Sequence, residues 1–152
     1  MEYQEIIKTA LKMRSAAYVP YSHFRVGAAL LTGNGKVYAG CNIENAAYTP
    51  TNCAERTAFF KAVSEGERDF SAIAIAGGDE NAKKLPVCPP CGVCRQVMME
   101  FCDPETFKVI LVQSETEYQI YTLKEVLPLG FGPKDLGRED FLRLQNTQPK
   151  KI

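Results

Sequence analysis

The sequence has no tryptophan and a single histidine, His23. One imidazole cannot build a site that needs two or three, so the His-based zinc proteases are excluded. Net charge is also missing, because 18 Lys and Arg balance 18 Asp and Glu. No segment gathers basic residues into a stripe that could track phosphates, which argues against a nucleic-acid partner. There is no uninterrupted apolar run long enough to span a bilayer, so no membrane partner is expected. The opening residues, Met1-Glu-Tyr-Gln-Glu5, place acidic groups where a secretory signal would carry basic ones before an apolar stretch. The expectation is a cytoplasmic protein.

What is present is a chain of 152 residues with six cysteines. That length suffices for one domain, residues 1–152, to bury a core without disulfides or a structural metal. In a reducing compartment, clustered thiols point to metal or catalysis rather than cross-links. Along the chain, Ile6, Ile7, Ala10, Leu11, Met13 and Ala17 repeat at helical spacing from Gln4 to Tyr18, and Pro20 ends that helix. Arg25 to Thr32 and Lys36 to Asn42 flank Gly33-Asn34-Gly35, a hairpin signal. Asn52 stands as an N-cap before a helix over Cys53 to Val63, which Gly66 stops. Ser71 to Gly77 reads as a buried strand, Gly92 to Phe101 as a helix, and Phe107 to Val112 and Tyr118 to Thr122 as strands. This order predicts an α/β fold, a three-layer α/β/α sandwich around a mixed sheet of about five strands. The end of the chain is rich in Pro and Gly from Leu127, and residues 145–152 are expected to form a flexible tail.

Cys88, Cys91 and Cys94 follow one another at three-residue intervals. That spacing copies the opening of a ferredoxin cluster motif, which expects its fourth cysteine a few residues on and then proline. Cys102 comes too late and is followed by Asp103. That reading also leaves Cys53-Ala54-Glu55 unexplained. A structural zinc module with Cys88 as fourth ligand is the other non-enzymatic reading, disfavoured because Cys53 and Cys91 lie at helix starts in an already sufficient core and no basic surface is evident. Cys53 and Cys91 each begin a predicted helix, where free backbone N–H groups favour a thiolate. Cys91 and Cys94 share one helical face. If the two helices lie side by side, Cys53 completes a three-sulfur zinc site with its fourth position open, the catalytic arrangement. Glu55, not needed as a ligand, would then serve as proton shuttle.

Cys53-Ala-Glu55 with Pro90-Cys-x-x-Cys94 resembles the signature of zinc nucleoside deaminases in its three-cysteine form. Tyr21-Ser-His-Phe-Arg-Val-Gly-Ala-Ala29, Gly40-Cys-Asn-Ile-Glu-Asn-Ala-Ala-Tyr48 and Leu127-Pro-Leu-Gly-Phe131 extend the likeness to the small homotetrameric cytidine deaminases. The resemblance implies one zinc per chain, held by Cys53, Cys91 and Cys94, and a neutral nucleoside substrate. The implied chemistry is attack of activated water on C4 of cytosine, with Glu55 moving protons. Phe24, Asn42, Glu44, Tyr48, Ala54 and Phe131 are implied substrate contacts, Asn42 and Glu44 at the ribose and Phe131 in a neighbouring subunit's pocket. Arg56 and Arg95 are candidates to offset the negative charge of three thiolates, Arg56 foremost. Deamination of another cytosine-bearing compound, such as blasticidin S, is the nearest alternative.

Overall fold

The computed structural model describes residues 2–138, so the expected tail at 145–152 lies outside the described residues. Helix α1 (Gln4–Met13) is followed by β1 (Phe24–Thr32), β2 (Val37–Cys41), α2 (Ala54–Ser64), β3 (Phe70–Asp79), α3 (Gly92–Phe101), β4 (Lys108–Val112), β5 (Tyr118–Thr122) and α4 (Leu123–Val126). The strands form one sheet in the order β2-β1-β3-β4-β5. Only β3 and β4 run parallel; the other pairs are antiparallel. A parallel pair needs a crossover rather than a hairpin, and α3 supplies it.

Alternation along β3 decides what each face carries. Ala72, Ala74 and Ala76 pack with Ile6, Ile7 and Ala10 of α1. Ile73 and Ile75 point the other way, into a core with Ala58 and Phe59 of α2 and Met98 of α3. Because both faces are covered, β3 reads as a continuous apolar run rather than an alternating one. The result is the expected three-layer α/β/α sandwich on a mixed five-stranded sheet.

Several boundaries differ from the sequence expectation. Helix α1 ends at Met13 and passes into a single 3-10 turn, Arg14–Ala16, instead of running to Tyr18. Strand β3 runs past Gly77 to Asp79: Gly78, which reads as the start of a polar loop, leaves room for Leu85 to lie directly on the strand, as Gly77 does for Cys88. Asn52 is not the N-cap of α2: that position belongs to Cys53, while the Asn52 amide donates to Thr57 Oγ1 at 3.2 Å. Helix α4 is too short to show periodicity, and a Thr122–Glu125 capping box starts it.

One close approach matters for the site. A Cβ on Gly40 in β2 would lie 2.4 Å from the Ala54 carbonyl oxygen and 2.7 Å from the Ala58 nitrogen, so the backbone of α2 rests directly on this strand. Gly40→Ala must displace the helix that carries Cys53 and Glu55. The expected cost is about 1–3 kcal/mol of stability, measured by denaturant unfolding, together with reduced zinc content in the purified protein.

Candidate metal centre and active site

Cys53 and Cys91 occupy the N-cap positions of α2 and α3, both in extended backbone, and neither spends its side chain on capping. Their sulfurs are therefore free to face each other across the gap between the helices, 3.8 Å apart. Cys94, one turn into α3, is 1% exposed and adds a third sulfur. The three ligand atoms all lie within 4.8 Å of one another. Tetrahedral zinc with Zn–S bonds of about 2.3 Å separates its thiolates by about 3.8 Å, so this donor set fits zinc in both chemistry and spacing.

The other thiols stand apart from this cluster. Cys88 lies over Gly77, its sulfur 2.6 Å from where a Cβ there would sit, and burial followed by the charges of Glu55 and Cys53 pushes its thiol up to about 11. Cys102 is buried in the core, 3% exposed. Among the described residues the cluster thus has three cysteines, neither the four of a closed structural zinc site nor those of an iron–sulfur cluster.

Charge at the centre is arranged around Cys53. A hydrogen bond from the Cys94 thiol, aided by Arg56, lowers the Cys53 thiol to about 5 against the opposing effect of burial. The same bond, together with burial, raises the Cys94 thiol. Arg56 Nη2 donates to Cys53 Sγ at 3.1 Å. Burial works against its charge, but the bonds to the sulfurs outweigh burial and raise its pKa. Glu55, the second residue of α2, is 5% exposed. Burial, and after it the charge on Cys53, raises its carboxyl to about 7, so the group can both hold and release a proton near neutrality.

The expectation that Arg95 donates to sulfur is corrected. Its Nε donates to the Pro90 carbonyl at 2.8 Å and its Nη1 to the Val126 carbonyl. Arg95 therefore ties the approach loop of the ligand helix to the end of α4. Two carbonyls within reach of a long side chain satisfy the guanidinium fork better than one crowded sulfur.

Asn42, an expected ribose contact, fastens the start of β1: its Oδ1 accepts from Val26 N at 2.9 Å and its Nδ2 donates to the Phe24 carbonyl at 2.8 Å. An amide has two donors and two acceptor sites, so one of each is left for a ligand. Glu44 Oε1 accepts from the backbone of Tyr21 and Ser22 at 3.0 and 3.1 Å. The Ser22 hydroxyl first, then these amides, hold its carboxyl below the usual range, against a contribution from burial. A cavity of about 390 Å³ is lined by Tyr21, Ser22, Glu44, Tyr48 and Thr51. The sulfurs do not line it; Thr51 at its edge stands two residues before Cys53. Tyr21, Ser22 and Thr51 were missed as site residues, although Tyr21 and Ser22 open one of the quoted motifs.

The remaining expected contacts do not all gather in one chain. Phe24 is 39% exposed at the start of β1. Tyr48 is 72% exposed with φ of 57°, its ring meeting Tyr21 edge-on at 6.1 Å. Ala54 is wholly buried in the core. Phe131 is 57% exposed, and it lines a different cavity, of about 290 Å³, with Gln96 and Glu100 of α3.

Residues 1–110 match the family model for the cytidine and deoxycytidylate deaminase zinc-binding region. The chain belongs to this family. It is 53% identical over 136 residues to the cytidine deaminase of Halalkalibacterium halodurans, covering 90% of this chain and 98% of that one. Its fold matches the crystal structure of cytidine deaminase from Burkholderia pseudomallei with a TM-score of 0.77 and 44% identity, over 86% of this chain and all of the other. The blasticidin-S deaminase of Bacillus cereus is more distant, at 30% identity over 130 residues, 84% of this chain and 90% of that one. The family match spans the three cysteines and Glu55 but ends before Phe131.

Proposed function

We propose that the chain hydrolyses cytidine and 2'-deoxycytidine to uridine and 2'-deoxyuridine with release of ammonia, a cytoplasmic step of pyrimidine salvage. It does so with one zinc per chain, in a homotetramer whose subunits share their pockets. The observation that carries this reading is a carboxyl, buried and poised near neutrality, two residues from one sulfur of a zinc-fitting three-thiol cluster.

Cys53, Cys91 and Cys94 would hold the zinc, which when bound would supply the Lewis acidity that makes a water nucleophilic near neutral pH. Three thiolates leave a divalent ion with net negative charge, which works against that acidity, and the Arg56 guanidinium at Cys53 counters it. Glu55 takes a proton from the attacking water and gives it to N3 of the pyrimidine as the water oxygen bonds to C4. It then carries the remaining hydroxyl proton to the amino nitrogen, and the C4–N bond breaks to release ammonia and leave the C4 carbonyl. The spare donor and acceptor of Asn42 and the ionised Glu44 suit a neutral ribose diol. Phe24 packs against the base. The shared pocket is supported by aromatic residues left open on one chain, Tyr48 at 72% and Phe131 at 57% exposure, with Leu129 beside the latter fully exposed.

Loss of absorbance near the cytosine maximum on adding cytidine tests the reading, repeated with blasticidin S and after chelation. The expected result is conversion of cytidine that chelation abolishes. Turnover of blasticidin S with none of cytidine overturns the substrate assignment.

A further inference from the structure

The helix that carries two of the sulfurs also holds the segment ending in Phe131. Gln96, two residues beyond Cys94, donates from Nε2 to the Phe131 carbonyl at 2.8 Å. Arg95 holds the Val126 carbonyl, so consecutive residues of α3 pin both ends of the stretch from Val126 to Phe131. Between these anchors and just past them the chain lies close against Met99 of α3. A Cβ on Gly130 would lie 3.1 Å from Met99 Sδ and 3.0 Å from Leu127 Cδ2, and one on Gly132 would lie 3.1 Å from Met99 Cε. Leu129 takes a left-handed φ of 53° that turns its side chain outward, with 104% of its surface exposed. The backbone is thus fixed against α3 while Leu129 and Phe131 stay exposed, and neither lines the cavity that holds Glu44 and Tyr48.

We infer that Gln96 is a positioning residue for another subunit's active site: its bond to the Phe131 carbonyl fixes the aromatic ring that this chain lends to its neighbour. The inference rests on the proposed sharing of pockets, in which Phe131 serves in trans. It gives α3 two duties on opposite faces, metal ligation for its own site and ring placement for the next.

In the homomeric protein, Gln96→Met removes the donor at nearly constant volume. It is expected to raise KM for cytidine about five-fold, the effect of one lost hydrogen bond. Zinc content and kcat should stay within about two-fold of the starting protein. The deciding experiment uses mixed oligomers, in which a tagged active chain is co-expressed with an excess of Glu55→Gln chain and recovered by its tag. Only the tagged chains turn over. With Gln96→Met in the Glu55→Gln partner alone, KM of the active sites should rise; with Gln96→Met in the active chain alone, it should stay at the starting value. Phe131→Ala is run in the same two arrangements. If Phe131→Ala acts in trans while Gln96→Met acts only in cis or not at all, the pocket is shared but the role of Gln96 is overturned. If neither acts in trans, the shared pocket falls and the inference with it.

Discussion

Glu55→Gln is expected to retain zinc and to bind cytidine with little change in affinity, while kcat falls by about three to four orders of magnitude. The amide matches the carboxyl in shape, so a side chain that is only 5% exposed is replaced without a cavity or a clash. What it lacks is a proton that can leave and return. Burial first, and after it the charge on Cys53, raises the Glu55 carboxyl to about 7. A group at that value is divided between its two forms at neutral pH, which suits it both to take a proton from water and to deliver one to N3. Glutamine can donate a hydrogen bond to N3 but cannot transfer charge to the ring, so C4 remains a poor electrophile. Binding measured by calorimetry, zinc content and kcat together check this. A variant with near-wild-type kcat would remove Glu55 from the mechanism.

The centre was legible in the sequence because its geometry follows from local rules. Cys53 and Cys91 are 38 residues apart, yet each stands where a helix begins, and two helices on the same face of one sheet bring their N-termini together. Hydrophobic spacing predicts both helices, whereas their lying side by side was a condition the sequence left open. Long polar side chains were less legible, since neighbours in sequence say little about where a flexible chain ends. Arg56 and Arg95 each lie within three residues of a ligand cysteine, yet one reaches sulfur and the other two carbonyls. Asn42 has a double part that sequence could not show, because its hold on Phe24 and Val26 depends on the antiparallel pairing of β1 with β2. The limits of β3 were hidden for a related reason. Gly78 and Asp79 carry no hydrophobic signal, and the strand runs on through them with the Leu85 side chain filling the space that Gly78 leaves.

The same reasoning separates three cysteines that look equivalent in sequence. Cys91→Ala and Cys94→Ala are each expected to lose most bound zinc and with it essentially all turnover. Either change leaves two thiolates where a tetrahedral site with an open position needs three protein ligands. Cys88→Ala is expected to keep full zinc and activity. Its sulfur packs over Gly77 and stands outside the cluster whose ligand atoms lie within 4.8 Å of one another. Burial, with the charges of Glu55 and Cys53, raises its thiol to about 11, which disfavours the thiolate that zinc would require. Losing one half-buried sulfur leaves a small void, at a cost of about 1 kcal/mol of stability rather than of function. Zinc per chain by elemental analysis, paired with the cytidine assay, decides it. Retention of zinc by Cys94→Ala, or its loss from Cys88→Ala, would mean that the ligand set has been drawn around the wrong sulfurs.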